Sequence, residues 1–80
     1  MKARVFVTLK GGVLDPQGKA IEGALHSLGF DGVSGVRQGK MIEFDVQAAD
    51  EAEAREQAGR MADALLANPV MESYRIEIEG

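Results

Sequence analysis

The 80-residue sequence has no cysteine, no tryptophan, two prolines and a single histidine. Without cysteine there is no disulfide, no Cys-ligated zinc, no iron–sulfur cluster and no thiol nucleophile. His26 stands alone, whereas a metal site needs further ligands and a triad needs a nucleophile beside the base, so it reads as a surface side chain. No apolar run approaches the roughly 18 residues of a membrane span, and the chain opens on an alternating strand instead of a secretory signal. A cytoplasmic protein with no membrane partner is therefore expected. Basic residues are also in the minority, nine Lys/Arg against thirteen Asp/Glu for a net charge of −4. Binding to a phosphate backbone needs a basic surface, so no nucleic-acid partner is expected.

What is present is a globular composition, 45% apolar and 28% charged. The length fits one domain, residues 1–80, that buries only about 60% of the surface of its unfolded chain. A small core of this kind makes self-association or a protein partner an expectation from size alone. Charge is unevenly placed. Residues 1–42 carry six Lys/Arg against three Asp/Glu, and residues 43–80 carry three against ten.

The periodicities divide the chain into six elements. Ala3, Val5, Val7 and Leu9 alternate with Lys2, Arg4, Phe6, Thr8 and Lys10, the period of a half-buried strand. Asp15-Pro16 caps and starts a helix carrying Ala20, Ile21, Ala24, Leu25 and Leu28 at helical spacing, with Gly29 placed to end it in the left-handed region. Gly18 and Gly23 each cost that helix about 1 kcal/mol relative to alanine, so tertiary packing must hold it, and the glycines would permit close approach of another segment. Val33–Gln38 and Met41–Ala48 read as two strands joined by a Gly39-Lys40 type II′ turn. Asp50 with Glu53 caps a second helix whose buried stripe is predicted as Ala54, Ala58, Met61, Ala62 and Leu65. Asn68-Pro69 stops it, and Met71–Glu79 returns as a strand with Tyr74, Ile76 and Ile78 inward. The order β-α-β-β-α-β predicts an α+β, ferredoxin-like domain: a four-stranded antiparallel sheet with both helices on one face. Arg4, Phe6, Thr8, Met41, Glu43, Asp45, Arg75 and Glu77 would then form the open face, either solvated or a polar oligomer interface.

No residues assemble into a catalytic constellation, so the chain reads as a binding or assembly module. The loop Gly11-Gly12-Val13-Leu14 runs into a helix N-terminus, a place that can bind phosphate, but the Asp15 carboxylate would occupy the free N–H groups and repel an anion. Val13 and Leu14 are either folded back over the helix end or offered to a partner. Arg37 and Lys40 form either a soluble turn or a cationic pair for an anion or an acidic partner. An RNA-binding module shares this element order but stacks bases on sheet aromatics, and only Phe6 is available here. A stand-alone binding or regulatory domain for a small ligand is the remaining alternative, testable by ligand-dependent stabilisation.

Three stretches carry a family resemblance: Lys10-Gly-Gly-Val-Leu-Asp-Pro-Gln-Gly-Lys-Ala-Ile21, then Leu28-Gly-Phe with Val36-Arg-Gln-Gly-Lys40, then Leu65-Leu-Ala-Asn-Pro-Val-Met-Glu-Ser-Tyr74. Together they resemble PurS, the small subunit of phosphoribosylformylglycinamidine synthase, over essentially the whole chain. The resemblance implies a part in de novo purine biosynthesis as a subunit of an amidoligase. The complex converts formylglycinamide ribonucleotide, ATP and glutamine to formylglycinamidine ribonucleotide, ADP, phosphate and glutamate. A PurQ-type glutaminase releases ammonia, and a PurL-type synthetase, which uses ATP and magnesium, phosphorylates the substrate amide oxygen. PurS-type chains bring no catalytic residue and no cofactor of their own; they join the two larger subunits, support ammonia transfer and form dimers or higher oligomers. On this reading Val13, Leu14, Gln17, Arg37 and Lys40 are the expected partner contacts, because those motif positions have no evident core role.

Overall fold

The computed structural model describes all residues, Met1–Gly80. Its elements are β1 (Lys2–Leu9), α1 (Pro16–Ser27), β2 (Gly39–Asp45), α2 (Glu51–Met61), which widens into a π-helical turn over Ala62–Leu66, and β3 (Glu72–Glu79). The sheet is antiparallel with three strands in the order β2-β1-β3.

The sheet is built as the alternation predicts. Val5 stands opposite Ile42 on one side and Ile76 on the other, and Ala3 opposite Phe44 and Ile78, so all six side chains share one face. Ala3, Val5 and Val7 are fully buried there beneath α2, with Ile42, Phe44, Tyr74, Ile76 and Ile78 half-buried around them. The other face carries Arg4, Phe6 and Thr8 with their cross-strand neighbours, and its charges neutralise one another. Arg4 bonds Glu43 and Glu79, each at 2.8 Å, and the Arg75 guanidinium lies 4.3 Å from the Phe6 ring centroid. Those contacts push Arg4 up and Glu43 down from their ordinary pKa values, chiefly through their mutual hydrogen bond.

The second helix approaches the sheet closely because its buried stripe is alanine: Ala54, Ala58 and Ala62 are fully buried. Asp50 caps it by accepting from the Glu53 amide at 2.8 Å, while the Glu53 carboxylate accepts from Ala49 at 3.1 Å, one residue before the cap. The predicted continuation of the stripe through Leu65 is corrected. The Ala67 amide bonds back five residues to Ala62, and this wider turn rotates Leu66 onto the core and leaves Leu65 83% exposed. Met61 is exposed as well.

Two larger corrections concern the first half of the chain. Val33–Gln38 is not a strand, and Gly39-Lys40 is not a turn but the start of β2, with Gly39 opposite Thr8. The sheet therefore has three strands, not four. Gly35, at φ +66°, interrupts the extended run. The amides of Val36 and Gln38, which a ladder would need, are taken by the carboxylates of Glu22 and Asp15. Gly39 is needed for proximity: a Cβ there would lie 2.4 Å from the Val7 carbonyl oxygen. The expectation of two helices on one face also fails, since only α2 packs on the sheet, over β1 and β3. Residues 10–38, with α1 at their centre, form an arm off one end of the sheet. The molecule is 49 Å long, and its radius of gyration is 15.7 Å against about 12 Å for a compact chain of this length.

Candidate functional site

The arm is anchored where α1 begins. Asp15 precedes the helix in an extended conformation, and its carboxylate accepts from the Gly18 amide at 2.8 Å, the cap its position predicts. The second oxygen accepts from the Gln38 amide at 2.9 Å and lies 3.6 Å from the Arg37 guanidinium. One carboxylate thus joins the start of α1 to the chain entering β2. Only 7% of Asp15 is exposed. The Gln38 and Gly18 amides, followed by Arg37, hold its pKa below the ordinary carboxylate value against the opposing effect of burial.

Arg37 completes the clamp. Its guanidinium donates to the Leu9 carbonyl at 2.6 Å and approaches that of Lys10 at 3.3 Å, satisfying oxygens where β1 leaves the sheet. Further out, Glu22 accepts from the Val36 amide at 3.2 Å, and His26 Nε2 lies 2.7 Å from the Val33 carbonyl. Gly18 is what lets these segments close, because a Cβ there would lie 2.4 Å from the Val36 carbonyl oxygen. The close approach expected at Gly18 is therefore present, whereas Gly23 has open space around it. Gly29, at φ +97°, ends the helix as predicted, with the Phe30 amide bonding back to Leu25 and that of Gly29 to His26.

Two clefts flank this clamp and share Asp15. The larger, about 490 Å³, is lined by Thr8, Leu9, Gln17, Gln38, Lys40 and Glu72. The smaller, about 230 Å³, is lined by Val13, Leu14, Lys19, Glu22, Val36 and Arg37. The structure thus brings Gln17 and Lys40 to one cleft and Val13, Leu14 and Arg37 to the other. Leu14 is 70% exposed and Lys40 is exposed, while Val13 is half-buried. Arg37 differs from the rest because its guanidinium is engaged within the chain. No three His, Asp or Glu side chains are placed together as metal ligands. The tie from the arm's first residue to the helix stop escaped the sequence reading: Lys10 Nζ donates to the Pro69 carbonyl and its amide to that of Met71, both at 2.8 Å. Asn68 acts as a stop, its side chain accepting from the Val70 amide at 2.9 Å. Tyr74 packs on the core and donates to Asp63 at 2.9 Å, a bond that together with burial raises its pKa.

Residues 2–80 match the family described as PurS: phosphoribosylformylglycinamidine (FGAM) synthase. A Synechocystis protein named phosphoribosylformylglycinamidine synthase subunit PurS is 53% identical over 75 residues, 94% of this chain and 75% of that one. The chain belongs to the PurS family. The crystal structure of PurS from Methanocaldococcus jannaschii superposes with a TM-score of 0.85 at 42% identity, covering 98% of this chain and 94% of that one. A chain of the PurLQS structure from Thermotoga maritima superposes with a TM-score of 0.85 at 33% identity, covering 95% of this chain and 93% of that one. PurS membership thus extends over both the sheet and the arm, and the three motif stretches fall on the arm, its clamp and the α2–β3 turn.

Proposed function

We propose that this chain is the non-catalytic small subunit of phosphoribosylformylglycinamidine synthase, acting in the cytoplasm as a homodimer or higher oligomer that joins a PurL-type synthetase to a PurQ-type glutaminase. The observation that carries the reading is the full-length likeness to PurS chains, one of them within a PurLQS structure. ATP and magnesium belong to the synthetase subunit, and this chain binds no cofactor. The glutaminase hydrolyses the side-chain amide of glutamine to glutamate and ammonia. The synthetase transfers the γ-phosphoryl group of ATP to the amide oxygen of formylglycinamide ribonucleotide, and ammonia then displaces phosphate to leave the amidine. Free ammonia is largely protonated near pH 7 and then has no lone pair for attack. Holding the two active sites in fixed relation raises the local concentration of the neutral nucleophile without any chemistry by the scaffold.

Leu14, Gln17 and Lys40, exposed on the clefts at the arm's base, are the proposed partner contacts, with Val13 and Arg37 shaping the loop that presents them. The test is reconstitution of the synthetase and glutaminase with and without this chain. Omission is expected to abolish glutamine-dependent turnover and to spare turnover driven by added ammonia. Unchanged glutamine-dependent turnover would refute the role.

A further inference from the structure

Strand β3 is an outer strand of the sheet, and a side chain from α2 reaches its free edge. The phase of the ladder follows from Lys10, whose amide bonds to the Met71 carbonyl one pair beyond Leu9 and Glu72. In an antiparallel ladder successive residues alternate between facing the neighbouring strand and facing away from it. Arg75, Glu77 and Glu79 therefore direct their backbone groups at β1, while those of Tyr74, Ile76 and Ile78 point off the sheet. The side chains of these last three lie on the core face, so only their N–H and C=O groups meet the edge. An eight-residue edge rich in Tyr and Ile, without proline, is a ready template for strand addition. One of its outward oxygens is taken: Arg55 Nη1 donates to the Ile76 carbonyl at 2.9 Å, while Nη2 donates to Glu51 at 3.1 Å.

We infer that Arg55 guards this edge: bound to the Ile76 carbonyl it keeps β3 from pairing with β3 of a second copy, and its release lets two copies join into one continuous sheet. The sequence of β3 selects a second copy as the occupant, because the strand is self-complementary about Ile76. Set antiparallel with Ile76 opposite Ile76, it places Arg75 opposite Glu77 and Tyr74 opposite Ile78, each pair occurring twice across one two-fold axis. Arg75 and Glu77 already bond each other along the open face of one chain, so the charges that would cross are in position. Both central hydrogen bonds of that pairing accept at an Ile76 oxygen, the atom that Arg55 holds. An approaching strand has to displace a cation whose donors are satisfied by that oxygen and by Glu51. Ile76 lines neither of the clefts at the arm's base, so this edge is a separate surface from the contacts proposed there.

The experiment uses the full chain and reads mass by sedimentation equilibrium, with folding checked by circular dichroism. R55M keeps the length of the side chain and removes every donor. It is expected to raise by at least about tenfold the association constant of the step that doubles the wild-type species, whatever size that species has. R55M/E77R, which sets arginine against arginine across the new pair, is expected to return to the wild-type constant. R55M/R75E/E77R, which restores opposite charges in exchanged positions, is expected to recover the gain. No gain in folded R55M overturns the guard. A gain that survives E77R places the association elsewhere and overturns pairing at this edge. If R55M does not fold, E51Q, which weakens the second anchor of the guanidinium, replaces it with the same expected direction, and no gain there overturns the proposal.

Discussion

Glycine to alanine in a helix interior ordinarily stabilises it by about 1 kcal/mol, and α1 offers two such sites with opposite surroundings. At Gly23 a Cβ would meet nothing within 4 Å. At Gly18 it would lie 2.4 Å from the Val36 carbonyl oxygen and 2.9 Å from Asp15 Oδ2. The first of these atoms is backbone and cannot rotate aside, and the second accepts from the Gln38 amide while the Gly18 amide holds the other oxygen of the same carboxylate. Relief requires moving the 33–38 segment by about 1 Å, a distortion of the overpacking kind that costs roughly 1–3 kcal/mol. Set against the helix gain, G18A is expected to lose up to about 2 kcal/mol and G23A to gain up to about 1 kcal/mol. In a domain of this size each kcal/mol moves Tm by about 4–8 °C. The two variants should therefore separate by roughly 4–24 °C, with G23A above wild type and G18A below G23A. Amide exchange across residues 18–28, read by NMR, tests whether the change is local to the arm, with Val36 and Gln38 deprotected in G18A alone. If G18A stabilises as much as G23A, the clamp is not tight and the account of the 33–38 segment fails.

Two further perturbations test the clamp and the core. Because the folded-state pKa of Asp15 is depressed, its contribution is present above the unfolded value of about 3.9 and is lost as pH falls through the folded value. The Tm difference between wild type and D15N should thus be constant from pH 7 to 5 and shrink below pH 4; a difference that persists at pH 2 would show that charge is not what the carboxylate contributes. Glu43, also depressed, is common to both proteins and cancels. In the π-helical turn, L66A should cost about 1–2 kcal/mol for a half-buried leucine and L65A less than about 0.5 kcal/mol, measured by urea unfolding. Equal losses would place both side chains on the core and contradict the wide turn.

What was legible in the sequence was what local chemistry decides. The alternation in β1 and β3, the caps at Asp15 and Asp50 and the stop at Gly29 all depend on neighbours within a few residues. Leu65 failed for a subtler reason: a regular helix puts it three residues after Ala62 on the buried stripe, and a single five-residue hydrogen bond shifts that position to Leu66. Val33–Gln38 has strand-like side chains, but a strand needs its own amides free to pair with a neighbour, and here Glu22 and Asp15 take those of Val36 and Gln38. Nothing in the spacing of valines reports that a carboxylate one helix away competes for the same N–H.

The arm exposes a different limit. An amphipathic period states that one side of a helix is covered, and it is silent on whose atoms cover it. For α1 the apolar period is present, and the sheet of its own chain does not answer it. A helix covered by its own chain and one left uncovered by it therefore have the same sequence pattern; what separates them here lies in the clamp. Asp15 is tied to Gln38 and Arg37 to Leu9, so the two ends of the arm are pinned together at the sheet's edge. Gly18 then brings α1 against the 33–38 segment. The residues that hold α1 against the 33–38 segment are thus the ones that leave its apolar side uncovered by its own sheet.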